Sequence, residues 1–222
     1  MTTRTSSADQ PIPRGQPLRE AVYERIVTLI CSGEYAPGAA LTEAGLSSTL
    51  QVSRTPVREA LLRLEADGIL QSALARGFTV RPLDVTEAGE LYPILSSLEA
   101  LALRSATGVD EAVLDQLRRT MAELAACVDA VRRWQLDSQW HDLLVSLGGN
   151  SKLSAMVKRL RMNLSRYELT YMREVTSRHE ADTQHAGILE ALGRGDRRKA
   201  AELVEAHWQQ GGRAVVRWLT HS

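Results

Sequence analysis

The pattern of apolar residues changes at Pro82, and this change constrains the fold more than any other feature of the chain. Before it, helical patterns alternate with turns that contain Gly or Pro, and two strand-like segments follow them. After it, apolar residues recur only at the three- and four-residue spacings of amphipathic helices. A chain of 222 residues is long enough to build a separate core on each side of this boundary.

The segment before Pro82 has the element order of a winged helix-turn-helix. The predicted elements are helices near 18–33, 43–50 and 53–68 and strands over 69–73 and 78–81. Ser53 can cap the third helix, and Gly68 can end it. We therefore predict a DNA-binding domain over residues 17–82, with three helices and a two-stranded wing.

The segment over 84–220 predicts helices only, so the chain as a whole is expected to be mainly α. Asp84 and Glu87 can form a capping box at its start. Its first helix carries one clean apolar stripe, formed by Leu91, Ile94, Leu95, Leu98 and Leu101. An antiparallel bundle of about six helices is the simplest packing.

Composition constrains the charge distribution and the cellular location expected of this protein. The formal net charge is zero, so DNA binding must depend on a local basic patch. Cys31 and Cys127 lie in apolar helical patterns, and free thiols of this kind fit a reducing cytoplasm. No apolar run approaches the roughly 20 residues of a membrane span. Residues 1–16 are polar and are expected to form a disordered leader, not a signal peptide.

The predicted recognition helix carries Arg54 and Arg58 four residues apart and therefore on one face. The planar guanidinium of arginine can bind O6 and N7 of guanine together. Ser53 and Thr55 stand at the start of the helix, where hydroxyls and free N–H groups can meet phosphates. The alternative is a surface helix whose arginines are merely solvated.

The predicted wing tip carries Arg76 and Gly77. An arginine there can enter the minor groove, and a glycine lets backbone approach DNA closely. The segment between Ser53 and Pro82 contains five arginines and three acidic residues, so its excess of positive charge is small.

Four potential metal ligands lie on helix faces that should point into the bundle: Asp137, His141, His185 and His207. Buried imidazoles need partners, and one divalent ion could bind three nitrogens and one carboxylate oxygen. Taken singly, each histidine could equally be a hydrogen-bonded core residue.

The string Ser53-Arg-Thr-Pro-Val-Arg-Glu-Ala-Leu61, together with residues 18–26, 32–38 and 63–70, resembles the GntR family of bacterial transcriptional regulators. The helical remainder over 84–220 is similar to the FCD ligand domain of the FadR-type branch, which implies that it binds an effector and dimerises. The resemblance implies that Arg54 and Arg58 contact operator DNA and that Arg76 and Gly77 form the wing tip. It also implies that the Asp137, His141, His185 and His207 set binds a metal such as Zn, Mn or Ni.

A small carboxylate effector is the ligand class that the resemblance implies. Arg161, Asn163 and Arg166 on the long helix are candidates to bind it, although each could lie on a solvated face. The expected protein is a non-enzymatic homodimer on a palindromic double-stranded operator, with repression as the default outcome and activation as the alternative.

Two departures from the family pattern bear on these expectations. Gln51 replaces a customary turn glycine, which would cost on the order of 1 kcal/mol if φ is positive there. Leu95 stands where the family often has an arginine, so an effector carboxylate would need another partner.

Three alternative functions remain open from the residues alone. A metal-dependent hydrolase could use the Asp/His set, since an open metal can activate water. No free Glu or His is predicted beside the cluster as a general base, and the N-terminal third would then have no purpose. In the second alternative, the metal is itself the signal. In the third, the metal is purely structural.

Overall fold

The computed structural model describes residues 18–73, 77–174 and 179–221. The chain divides into two compact units, Met1–Leu83 and Asp84–Ser222. The predicted fold class is confirmed, because a winged helix-turn-helix is followed only by helices in the part of the chain that the structure describes. The proposed leader over 1–16 lies outside the described residues.

Three helices and three short strands form the first unit. They are α1 (Leu18–Cys31), α2 (Glu43–Leu50) and α3 (Arg54–Ala66), with β1 (Ala40–Leu41), β2 (Leu70–Ala73) and β3 (Gly77–Val80). The strands form an antiparallel sheet in the order β1-β3-β2. The wing therefore has one strand more than predicted, since the two residues of β1 are too few to show alternation. The core of the first unit includes three fully buried residues, Ile26, Leu61 and Val80.

The turn between α2 and α3 has the strained residue that the sequence suggested. Gln51 adopts a left-handed conformation with φ 54° and ψ 42°. Its N–H donates to the Ser47 carbonyl oxygen, and the Ser47 hydroxyl donates to the Val52 carbonyl oxygen at 2.5 Å. The Ser47 side chain thus ties α2 to the turn, a contact that the sequence analysis missed.

The second unit contains six helices among its described residues. They are α4 (Val85–Ser105), α5 (Glu111–Ala126), α6 (Ala130–Ser146), α7 (Ser151–Glu174), α8 (His179–Gly193) and α9 (Arg197–His221). Helix α4 packs against α6, α7 and α9, while α5 packs against α6 and α8. Residues from α4, α6, α8 and α9 can therefore meet inside one bundle.

Half of the predicted capping box is present at the start of α4. The Asp84 carboxylate accepts the Glu87 N–H at 2.7 Å. The reciprocal hydrogen bond of a capping box would run from the Asp84 N–H to the Glu87 carboxylate. This part of the prediction is wrong, because the Asp84 N–H donates to the Tyr167 hydroxyl at 3.2 Å. The Glu87 carboxylate instead accepts from Arg166 at 2.7 Å, and this ion pair joins α4 to α7.

The close approach of α9 to α4 depends on Gly212. A Cβ at Gly212 would lie 2.7 Å from Cβ and 2.8 Å from Cγ of Tyr92, whereas a Cβ at Gly211 would meet nothing within 4 Å. We expect Gly212→Ala to lower the free energy of unfolding by about 1–3 kcal/mol through overpacking. Gly211→Ala, the matched control, should raise it by about 0.5–1 kcal/mol through helix propensity. Urea unfolding followed by circular dichroism measures both; equal effects would contradict the proposed contact.

Candidate metal centre and nucleic-acid interface

The four predicted metal ligands converge in the interior of the second unit. Asp137 and His141 lie on α6, His185 on α8 and His207 on α9, and all four side chains are buried. One nitrogen from each imidazole lies within 4.8 Å of the other two. The Asp137 Oδ1 atom lies 3.5 Å from His185 Nε2 and 4.0 Å from His141 Nε2.

The orientation of His141 is set by Glu99 on α4. The Glu99 Oε2 atom lies 2.7 Å from His141 Nδ1 and 2.8 Å from Trp208 Nε1. An indole nitrogen only donates, so Oε2 is an acceptor, and the Nδ1–H tautomer of His141 is the one that completes this arrangement. The Nε2 lone pair of His141 then faces the cluster, which is the usual role of a carboxylate behind a metal-binding histidine.

His207 is oriented by a chain of amides. Its Nδ1 atom lies 2.7 Å from Gln184 Oε1, and Gln184 Nε2 donates to Gln210 Oε1 at 2.7 Å. Because the Gln184 amide donates toward Gln210, its oxygen is the atom that faces His207 and accepts from Nδ1–H. The Nε2 lone pair of His207 therefore also points away from the Gln184 amide.

Burial keeps the three imidazoles neutral at physiological pH. It lowers the pKa of His141 and His185 to about 3, and it holds the pKa of His207 well below its ordinary value. Burial alone would raise the pKa of the Asp137 carboxyl, but the imidazoles and Arg161 hold it below its usual range. Neutral imidazoles and an ionised carboxylate are the protonation states that bind metal ions.

Arg161 on α7 is part of the cluster. Its Nη2 atom donates to Asp137 Oδ2 at 2.7 Å and to Ser138 Oγ at 3.2 Å. The guanidinium also lies 4.8 Å from the centre of the Trp208 ring. The solvated alternative considered for Arg161 is therefore wrong, since the side chain is buried against α6 and α9.

The residues of the cluster fit a divalent metal ion. Neutral imidazole nitrogens and a carboxylate oxygen are ligands suited to zinc and to neighbouring transition metals. Several buried polar atoms around them have no hydrogen-bond partner among the described residues: His185 Nδ1, Glu99 Oε1, and Nε and Nη1 of Arg161. Glu99 Oε1 and Arg161 Nη1 form an ion pair at 3.8 Å, which is too long for a hydrogen bond, so their hydrogen-bonding capacity is available to a bound ion, ligand or water.

Glu99 is the site residue that sequence reasoning missed. It shares the buried face of α4 with Tyr92, Leu95 and Leu103, and a carboxylate on such a face was the available signal. Burial raises its pKa to about 7 against the opposing effect of Arg161. A glutamate therefore does lie beside the cluster, contrary to expectation, although its Oε2 is engaged by His141 and Trp208.

The other two effector candidates belong to a separate network. Arg166 Nη2 donates to Glu87 Oε2 and to Asn163 Oδ1, each at 2.7 Å. Arg166 is buried, so the solvated alternative is wrong for this residue as well, while Asn163 is half-buried. Asn163 thus contacts Arg166, and Arg166 contacts Glu87, which is not one of the predicted metal ligands.

The first unit exposes the predicted recognition residues of α3. Ser53, Arg54, Thr55 and Arg58 are all exposed. Ser53 has the extended backbone of an N-cap, but its side chain makes no capping hydrogen bond. Arg58 Nη1 lies 3.4 Å from Glu43 Oε1, and its side chain is 66% exposed. The start of α3, from its N-cap Ser53 to Arg58, thus exposes two arginines and two hydroxyl-bearing side chains.

The wing contains a glycine that the fold itself requires. Gly77 has φ +83°, and a Cβ there would lie 2.7 Å from the Leu41 carbonyl oxygen of β1. Close packing within the sheet therefore accounts for this glycine without reference to DNA. Arg76 lies outside the described residues.

A winged helix-turn-helix with exposed arginines, followed by an all-helical unit, is the architecture of two-domain DNA-binding transcriptional regulators. Residues 18–80 match the model described as bacterial regulatory proteins, gntR family, and residues 90–210 match the FCD domain. The chain belongs to the GntR family of transcriptional regulators and carries an FCD domain. In the described residues, no helix combines the length and apolar character needed to cross a membrane.

Similar proteins agree with this family. The Nta operon transcriptional regulator of Aminobacter aminovorans is 32% identical over 183 residues, which cover 81% of this chain and 85% of that protein. The transcriptional repressor RspR of Escherichia coli is 24% identical over 204 residues, or 90% of each protein. The solved structure of E. coli McbR/YncC has the same fold, with a TM-score of 0.81 at 22% identity over 92% of this chain and 99% of that one.

Proposed function

We propose that this regulator is a homodimeric repressor whose affinity for a palindromic operator is controlled by a small carboxylate bound at a divalent metal ion. The observation that carries this proposal is the convergence of Asp137, His141, His185 and His207 with the buried Arg161. The repressor role is supported by similarity to RspR. Such a protein would act in the cytoplasm, where a bacterial operator is accessible.

Asp137, His141, His185 and His207 would hold the metal, with Zn, Mn and Ni as the candidates. When bound, the ion supplies a positive centre for an anionic ligand, since a divalent metal and one aspartate together carry a net charge near +1. Glu99 and Gln184 would hold His141 and His207 in the orientation that binding needs.

Arg161 is the proposed protein partner of the effector carboxylate. Its Nε and Nη1 are buried donors without a hydrogen-bond partner in the described part of the chain. Each of these donors can form a charge-assisted hydrogen bond to a carboxylate oxygen, and burial strengthens such a bond. Arg161 thus supplies the cation that the family often places at the position of Leu95. Arg166 and Asn163 have less support, because Glu87 engages Arg166.

The recognition residues of α3 would bind the operator through the major groove. Arg54 and Arg58 would contact bases, and Ser53 and Thr55 would contact phosphates. Arg76 and Gly77 would form the wing tip at the minor groove. An effector can lower operator affinity only if it binds more tightly to the arrangement that DNA disfavours.

Thermal unfolding of the metal-loaded protein with small mono- and dicarboxylates tests the proposal. We expect at least one acid to raise the melting temperature and to release operator DNA at the same concentration. The matched methyl ester or amide, which lacks the charge, should do neither, and removal of the metal with a chelator should abolish the shift.

Other outcomes of the same experiment would favour another function. Hydrolysis of the ester or amide would indicate the metal-dependent hydrolase. DNA release by Zn²⁺ or Mn²⁺ alone, with no response to any acid, would indicate a metal sensor. If chelation unfolds the helical unit and no carboxylate changes its melting temperature, the metal is structural.

A further inference from the structure

A groove of about 340 Å³ lies between the first half of α4 and the second half of α9. Gly89, Tyr92 and Pro93 line it from α4, and Gly212 and Val216 line it from α9. Neither glycine has a side chain to fill the space, and a Cβ at Gly89 would meet nothing within 4 Å. The walls of the groove are therefore mainly apolar, and the groove is open to solvent where Gly89 and Pro93 are exposed.

One rim of the groove is a row of polar side chains on α9. Gln209, Arg213 and Arg217 follow each other at four-residue intervals, so they share one face of the helix, and all three are exposed. Among the described residues, neither guanidinium has an ion pair or a hydrogen bond, and no acidic residue lines the groove. Two like charges four residues apart destabilise a helix, so an anion bound between them would relieve their repulsion.

The size of the groove favours a small molecule over a protein segment. Its rim from Gln209 to Arg217 extends over eight residues of helix, or about 12 Å at 1.5 Å per residue. Its volume lies near the lower end of the range for small-molecule sites, about 300–1,000 Å³. A partner helix with its side chains is about 10–12 Å wide, so it would not enter a space of this volume.

Aromatic side chains separate the groove from the candidate metal centre. Tyr92 is buried and packs against Trp208, with 6.2 Å between the ring centres. The Trp208 ring in turn lies 4.7 Å from the His141 ring, and its indole donates to Glu99. None of the four predicted metal ligands lines the groove. A ligand in the groove would therefore contact Tyr92 without reaching the histidines.

We propose that this groove is a second ligand site, distinct from the metal centre, that binds an organic anion with an apolar body. The apolar body would lie against Tyr92, Pro93 and Val216, and the anionic group would bind Arg213 and Arg217. Apolar walls with a few convergent polar groups are the usual composition of a small-molecule site. This inference is independent of the metal and of the carboxylate effector in the proposed function.

Fluorescence titration of the purified full-length protein with anilinonaphthalene sulfonate tests the role of the charge. This probe joins an aromatic body to a sulfonate, and N-phenylnaphthylamine has the same body without the charge. The Arg213→Gln, Arg217→Gln double variant should bind the sulfonate probe at least about tenfold more weakly, because charge-assisted hydrogen bonds are lost, and the neutral probe as before. Arg119→Gln, at an exposed position on α5, is the matched control and should bind both probes like the parent.

A variant on α4 tests the position of the apolar body. Gly89→Leu places a side chain in open space, so it should fold with an unchanged or higher melting temperature. Because that side chain fills the groove, both probes should bind at least about tenfold more weakly. Ala122→Leu, at an exposed position on α5, is the control for an added apolar side chain and should leave binding unchanged. Removal of the metal with a chelator should also leave it unchanged.

Several results would overturn the proposal. Failure of the parent to bind the sulfonate probe would show that the groove is closed in solution. Equal binding by the parent and Gly89→Leu, or loss of binding with the metal, would place the probe elsewhere. Equal losses of both probes in the double arginine variant would mean that the groove does not recognise charge. None of these results bears on the proposed function, whose test measures the response to carboxylates at the metal.

Discussion

His185→Ala will abolish stoichiometric metal binding. Its Nε2 atom lies 3.3 Å from His141 Nε2 and 3.5 Å from Asp137 Oδ1, in the middle of the four-ligand set. Loss of a residue that merely orients a ligand typically lowers metal affinity about 10- to 100-fold, so loss of a ligand should cost at least about 100-fold. After dialysis, elemental analysis should find about one metal ion per parent chain and almost none in the variant.

Two further variants separate metal binding from packing. His185→Gln keeps much of the side-chain volume, so it should also lose the metal while filling the core better than alanine. His221→Ala removes an exposed histidine near the end of α9 and should retain the metal in full. A chelator should lower the melting temperature of the parent and of His221→Ala but not of His185→Ala. Metal retained by His185→Ala would remove this residue from the site.

The sequence predicted the metal ligands because each lies on a helical apolar face. Asp137 and His141 share a face by spacing alone, and His185 and His207 each follow the stripe of their own helix. Glu99 lies on the buried face of α4 in the same way, but nothing in the chain relates it to a histidine 42 positions away. Its role became visible only when α4 and α6 were packed together.

Arg161 and the stripe of α4 show two physical limits of sequence interpretation. An arginine is seldom buried unless it is paired, and the partner of Arg161 is Asp137, on another helix. Its burial therefore could not be predicted from α7 alone. Helix α4 carries apolar residues on two faces, and periodicity cannot decide which of them, that of Leu95 or that of Ile94, meets its own bundle.

The second large effect concerns Arg58. If this residue contacts a base, Arg58→Ala should weaken operator binding about 5- to 150-fold, which corresponds to about 1–3 kcal/mol of binding free energy. The structure makes this arginine available, since its side chain is 66% exposed. Its ion pair with Glu43 spans 3.4 Å at the surface, and exposed pairs contribute only about 0–1 kcal/mol. Releasing Arg58 to DNA therefore costs little.

Fluorescence anisotropy on a duplex selected in vitro from random sequences, with an unselected duplex beside it, measures this effect. Arg58→Lys is the matched control, because it keeps the positive charge but loses the planar pair of donors that binds guanine O6 and N7. If Arg58 contacts a base, both variants should lose affinity for the selected duplex, while Arg58→Lys binds the unselected one like the parent. An equal loss for Arg58→Ala on the two duplexes, with full recovery in Arg58→Lys, would assign Arg58 to a phosphate. An unchanged binding curve for Arg58→Ala would exclude it from the interface, and recognition would then have to depend on Arg54 and the wing.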